Sequence, residues 1–181
     1  LVAVQLLWLN LVTNGIQGIA LAFEPSEGDV LSRKPRPTQE PIFNQLMIER
    51  TRVAAIVKAT VAFSSFSWMI SNGWSEDEAR NALLLLMVLF ENIHIGNCRS
   101  ETKSALLLSP FRSPVLLWGA ITAFFVHLAS MYFPPMQAVL HTQPLGLTTW
   151  FVLIGLALTI FFALELHKLS WWLRHRNNKQ A

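Results

Sequence analysis

The sequence predicts an all-α protein, an integral membrane bundle of five transmembrane helices. Hydrophobic residues make up 52% of the 181 residues and charged residues only 14%, whereas ordinary soluble domains carry about 25% charge. The apolar residues form five runs close to the ~20 residues with which a helix crosses a bilayer. The five predicted spans are residues 1–23, 53–71, 81–97, 114–133 and 148–167.

The basic residues predict how these spans are oriented. Twelve of the 14 Lys and Arg residues lie in segments 24–52 and 98–113 and in the tail after residue 167. Because basic residues accumulate on the cytoplasmic side, we expect these segments and the C-terminus to be cytoplasmic. The long loop 24–52 is either a solvated linker facing lipid headgroups or a docking segment for a cytoplasmic domain.

The first span carries a polar stripe. Asn10, Thr13, Asn14 and Gln17 are spaced at i, i+3, i+4 and i+7, which predicts one shared face of an α-helix. Polar side chains in hydrocarbon are satisfied by a partner helix, by water or by a transported ion. Two neighbouring glycines let the backbone unwind and present carbonyl oxygens, the ligands that a hard cation prefers. The stripe is therefore a candidate cation site.

The second span contains Lys58, which we expect to extend its ammonium group to the membrane interface.

The third span ends in a further polar cluster. Glu91, His94, Cys98 and Glu101 are spaced at i, i+3, i+7 and i+10, again one helical face. A carboxylate inside a span costs several kcal/mol unless it is paired or hydrated, so Glu91 is either an interhelical anchor or an ion or proton site. The spacing also permits a zinc or copper site, since imidazole and thiolate suit those metals.

The fourth and fifth spans carry fewer polar groups. We expect His127 to be an interhelical hydrogen-bond donor, and Glu165 and His167 to anchor the inner interface. The single cysteine excludes an internal disulfide. The sequence contains no nucleotide-hydrolysis or protease motif, so we expect no catalytic and no cofactor-binding residues in it. Its basic residues are not clustered on one face, so we expect no nucleic-acid partner.

Several segments, taken together, resemble the calcium-type P-type ATPases. The most specific is residues 5–15 (QLLWLNLVTNG), which resembles the sixth transmembrane helix of these pumps. Weaker matches follow in the same order along the chain: ALAFEP at 20–25, RKPR at 33–36, NCRSETKS at 97–104, YFPP at 132–135 and ELHK at 165–168. The resemblance implies that residues 1–181 are the C-terminal transmembrane domain, helices six to ten, of a cation-transporting ATPase.

This resemblance also implies a set of cation ligands. The ligand positions of the family fall on Asn10, Thr13, Asn14 and Glu101 of this sequence, with Glu91 as a further candidate. Asn14 stands where calcium pumps usually carry Asp, so one negative charge is missing from a site that must replace the hydration of the ion. Calcium is the expected cation, and sodium, manganese or a proton are the alternatives.

The phosphorylation and nucleotide-binding domains of the family are not in this sequence, so ATP and magnesium are expected only in those domains. Because Leu1 already lies inside an apolar run, we expect the chain to be the C-terminal piece of a longer pump. Its expected partners are the lipid bilayer and the N-terminal helices and cytoplasmic domains of that pump, in a bacterial plasma membrane. The alternative is a truncated multi-span scaffold or partner-binding module, in which the polar stripe only joins helices.

Overall fold

The computed structural model describes residues 1–25, 43–100 and 103–176. All regular secondary structure within these ranges is helical. Four helical segments are long and apolar enough to cross a membrane, and a bent pair of helices can form a fifth span. The predicted all-α membrane bundle is therefore confirmed.

The first span consists of three helical pieces. Helix α1 (Ala3–Leu9) passes into a π-helical turn (Asn10–Gly15), which passes into α2 (Ile16–Leu21). Asn, Thr and Gly are poor formers of a regular α-helix, and they are concentrated in this turn. A π-helical turn is uncommon and is frequently found at functional sites. The irregular turn coincides with the polar stripe.

The second and third spans are longer helices than their apolar runs. Helix α3 (Gln45–Ser71) begins eight residues before its predicted span, because the Asn44 side chain caps it by accepting a hydrogen bond from the Met47 amide at 2.8 Å. Helix α4 (Glu76–Cys98) begins with a capping box. These caps add polar first turns to the apolar runs.

The fourth span is bent, in contrast to the single span predicted over residues 114–133. Three residues separate the end of helix α5 (Pro114–Ser130) from the start of α6 (Pro134–Leu140), and the two helices are bent by 91°. Two consecutive prolines begin α6, and proline cannot continue the hydrogen-bond ladder of a preceding helix. The last span, α7 (Leu147–Arg176), extends beyond its predicted end at residue 167.

Helix α4 is the centre of the bundle and packs against α1, α3, α5 and α7. Side chains that are completely buried lie along it at Leu84, Leu85, Leu86, Val88 and Phe90. Lipid is as apolar as these side chains, so helices in a membrane associate through close packing rather than through the hydrophobic effect. The bundle thus fixes the first span against α4 and α5.

Candidate cation site

The polar stripe of the first span does not form the single face that α-helical spacing predicts. Thr13 and Gln17 are buried, with exposed fractions of 0% and 3%, whereas Asn10 and Asn14 are exposed. In a π-helical turn the backbone hydrogen bonds run from i to i+5, so each turn takes up more residues than an α-helical turn. The stripe is therefore divided into an exposed amide pair and a buried pair.

The exposed amide pair consists of Asn10 and Asn14. The Asn14 Nδ2 group donates to Asn10 Oδ1 at 3.0 Å, which holds the two amides side by side on the outer surface of the described bundle. Amide and main-chain oxygens are among the ligands that hard cations prefer. The pair can contribute two ligands to a cation held between this span and a further helix.

The buried pair differs in how its polar atoms are satisfied. Thr13 Oγ1 donates to the carbonyl of Leu9 on the same helix, and Gln17 Nε2 has no hydrogen-bond partner within the described residues. An unpaired buried polar group costs about 1–3 kcal/mol. No member of the stripe bonds to another helix in the described part of the chain, although interhelical bonding was the alternative use of such a stripe.

A buried ion pair holds the C-terminal end of the first span. Arg99 donates two hydrogen bonds to the carboxylate of Glu24, both at 3.1 Å, and the exposed fractions of the two side chains are 8% and 7%. Arg112 donates to the Pro25 carbonyl at 2.9 Å. These contacts fasten the end of the first span to the segment that follows α4. Glu101, the predicted carboxylate ligand, lies outside the described residues.

Glu91 forms an ion pair inside the bundle. The Lys58 ammonium lies 2.9 Å from Glu91 Oε1 and 3.0 Å from His94 Nδ1, joining α3 to α4. Lys58 therefore pairs with a carboxylate on the neighbouring helix, a contact that the prediction of an interfacial ammonium group did not include. The Glu91 carboxylate thus joins α3 and α4, which is the first of the two roles predicted for it.

The zinc or copper alternative finds no support in the geometry. Among the described residues, no three His, Cys, Asp or Glu side chains come together in a way that could hold a metal ion. The Lys58 ammonium contacts both Glu91 and His94, and a cation at that position repels a second one. The exposed amide pair is the better candidate for a cation.

The remaining predicted polar residues have structural contacts. His127 accepts a hydrogen bond at Nδ1 from Trp8 at 3.2 Å, so it is an interhelical acceptor, not the predicted donor. His167 contacts Glu49 of α3 at 3.3 Å, and Glu165 accepts a hydrogen bond from Lys168. His127 joins α5 to the first span, His167 joins α7 to α3, and Glu165 joins α7 to the segment after α4 by accepting a hydrogen bond from the Ala105 amide at 3.1 Å. Within the described residues, none of the three contacts the exposed amide pair.

Sequence reasoning missed Gln5, a completely buried residue of α1. Its Nε2 donates to the carbonyl of Leu140 in α6 at 2.9 Å, and its Oε1 accepts from the amide of Val2 at 3.0 Å. The available signal was a lone amide within an apolar run, since such a group requires a partner in a membrane. Gln5 fixes the first span against α6, the helix that follows the bend.

Comparison with known proteins gives consistent matches along the chain. Residues 1–170 match the family model described as "Cation transporting ATPase, C-terminus". The chain is 32% identical over 156 residues to "Probable cation-transporting ATPase F" of Mycobacterium tuberculosis, covering 86% of this chain and 17% of that protein. It is 30% identical over 158 residues to "Calcium-transporting ATPase" of Bacillus subtilis, covering 87% and 18%. It is 31% identical over 168 residues to "Calcium-transporting ATPase type 2C member 2" of Mus musculus, covering 92% and 18%. The chain thus spans 17–18% of the length of these curated relatives.

Proposed function

Since this chain belongs to the family of cation-transporting ATPase C-terminal domains, we propose that it supplies ion-coordinating side chains to the transport site of an ATP-driven cation pump. It is a multi-pass membrane domain with four to five candidate spans. ATP and magnesium act in parts of the pump outside this sequence. The distribution of basic residues supports a cytoplasmic C-terminus, and the bacterial relatives support a bacterial plasma membrane.

The exposed amide pair carries this proposal. Asn10 and Asn14 lie on a π-helical turn, and their side chains bond to each other and face away from the described bundle. A hard cation such as calcium takes six to eight oxygen ligands, so one span cannot complete the site. We infer that the other ligands come from the remaining helices of the pump, with Thr13 and Glu101 as the further contributions of this chain. Thr13 Oγ1 donates its hydrogen to the Leu9 carbonyl, so its oxygen lone pairs remain for a cation that enters between the helices.

Calcium is the cation that the relatives support best, since two of the three described above are named as calcium-transporting. A neutral amide at Asn14 ligates a cation but does not balance its charge. The site then requires carboxylates elsewhere, because a divalent ion loses more hydration free energy than a monovalent ion does. Sodium, manganese and the proton are the competing cations that a selectivity measurement separates.

The experiment is ion transport by the complete pump with single substitutions in the stripe. We expect Asn14→Ala and Thr13→Ala to lower the apparent cation affinity severalfold. The matched control is Asn92→Ala, because within the described residues the Asn92 amide donates only to the Val88 carbonyl of its own helix. Unchanged cation affinity in both stripe variants would refute the ligand assignment.

The charge at residue 14 gives a second, sharper test. Asn14→Asp adds the carboxylate that calcium pumps usually carry, so we expect the pump to favour divalent over monovalent cations more strongly. The measurement is the ratio of calcium to sodium affinity in transport assays. An unaltered ratio would mean that residue 14 does not face the ion.

A further inference from the structure

A cleft lined by both charged and apolar side chains lies between α3 and α4, apart from the candidate cation site. Its volume is about 430 Å³, and its lining includes Arg50, Thr51 and Lys58 of α3 and His94 and Cys98 of α4. A cleft of this size is within the range of small-ligand sites. The proposed cation transport uses none of these side chains.

The cleft has an excess of positive charge that is centred on Arg50. The Lys58 charge is balanced by Glu91 at 2.9 Å. Arg50 Nη2 donates to the uncharged Asn97 carbonyl at 3.0 Å, and Arg50 forms no ion pair with the described residues. The neighbouring carboxylate of Glu49 is instead bonded to Arg174 of α7. A guanidinium group carries five N–H donors, so Arg50 retains donors for an anionic ligand.

The position of the cleft favours a lipid over a soluble anion. It lies where α3 begins and α4 ends, the end of the bundle that the basic residues predict to be cytoplasmic. Lys58 is eight residues beyond Arg50, which is about 12 Å along a helix, so the cleft extends from the helix ends toward the membrane interior. Its lining includes Ala54 and Ala55, whose small side chains leave room between the two helices.

We propose that this cleft binds the phosphate group of an anionic phospholipid. Arg50 donates to the phosphate oxygens, and the hydroxyl of Thr51 provides a further donor. Arginine binds phosphate through paired N–H groups, and basic pockets between helices on the cytoplasmic side are known to accept anionic lipid headgroups. The acyl chains follow the outer surface of α3 into the bilayer.

Cys98 provides a reporter within the cleft. It is the single cysteine of this chain and is partly exposed, so a lipid in the cleft covers its thiol. The full protein is placed in vesicles of phosphatidylcholine alone or of phosphatidylcholine and phosphatidylglycerol in equal amounts. Alkylation of Cys98 by N-ethylmaleimide is then followed by peptide mass spectrometry. We expect the anionic vesicles to slow the alkylation severalfold.

Two variants separate a specific site from a general effect of membrane charge. Arg50→Gln should abolish the difference between the two vesicle types, and Arg50→Lys should retain part of it. Arg52→Gln is the matched control, because Arg52 is an exposed arginine of the same helix and does not line the cleft. Equal protection in the wild type and in Arg50→Gln would overturn the proposal, as would equal loss of protection in Arg50→Gln and Arg52→Gln.

A third arm distinguishes lipid from free phosphate. Inorganic phosphate is added to the protein in phosphatidylcholine vesicles, and we expect it to leave the alkylation rate unchanged. Protection by inorganic phosphate equal to that by phosphatidylglycerol would overturn the lipid assignment. Mass spectrometry of the intact protein should also retain bound phosphatidylglycerol in the wild type and lose it in Arg50→Gln.

Discussion

The ion pair between Glu24 and Arg99 gives a quantitative test of how the first span is held. Glu24→Gln removes the carboxylate and leaves the Arg99 guanidinium buried without its counter-charge. Breaking a buried ion pair by removing one partner costs about 3–5 kcal/mol. Arg99 keeps its hydrogen bond to the Ser109 carbonyl at 2.9 Å, so we expect the lower end of that range, about 3 kcal/mol.

The assay is thermal unfolding of the purified 181-residue chain in detergent. In proteins of 150–250 residues, 1 kcal/mol shifts the midpoint by about 2–4 °C, so Glu24→Gln should lower it by roughly 6–12 °C. Adding Arg99→Met should recover part of the loss, because the double variant no longer buries the Arg99 charge without a partner. Arg112, which lies 3.7 Å from Glu24 Oε1, is 25% exposed and keeps its hydrogen bond to the Pro25 carbonyl.

The control is an ion pair of the same chemistry at the surface. Glu76 and Arg80 pair within α4, and Glu76 is 63% exposed. Such pairs contribute about 0.3–0.5 kcal/mol, so Glu76→Gln should shift the midpoint by no more than about 2 °C. Equal shifts in Glu24→Gln and Glu76→Gln would refute the conclusion that the buried pair holds the first span.

Two further predictions concern helix packing. Gly119→Ala should destabilise the protein by about 1–3 kcal/mol, because a Cβ at residue 119 would lie 2.7 Å from the Cβ of Ala20. Thermal unfolding measures this change. Gly155→Ala is the control, because a Cβ at residue 155 would have no neighbouring atom within 4 Å among the described residues. Lys58→Met should destabilise by about 3 kcal/mol, as it leaves Glu91 unpaired, and adding Glu91→Gln should restore most of the stability. A Gly119→Ala variant as stable as Gly155→Ala, or a double variant less stable than Lys58→Met, would contradict these contacts.

The order of four of the five spans could be predicted from the sequence, because an apolar run of about 20 residues is as long as a helix needs to be to cross a bilayer. The ends of the helices were harder to predict from hydropathy, since capping residues such as Asn44 lie outside the apolar runs. The bend after Ser130 was hidden because the apolar run continues up to the two prolines. Hydropathy measures composition, and a change in chain direction leaves composition unaltered.

The candidate site was found from the sequence, but its arrangement was not. The stripe was identified by α-helical spacing, and the π-helical turn then separated its exposed members from its buried ones. The ion-pair partners of the charged residues could not be predicted from the sequence either, because Lys58 and Glu91 are 33 residues apart and Glu24 and Arg99 are 75 residues apart. Spacing along one helix does not indicate which neighbouring helix it faces.

The most direct test of the central claim is equilibrium binding of the cation to the complete pump in the absence of ATP. Wild type, the double variant Asn10→Ala/Asn14→Ala and the control Asn92→Ala are titrated with radioactive calcium in the same detergent. If the exposed amide pair ligates the cation, the double variant binds less calcium or binds it severalfold more weakly, and the control binds as the wild type does. Equal calcium affinity and stoichiometry in all three proteins would contradict the account.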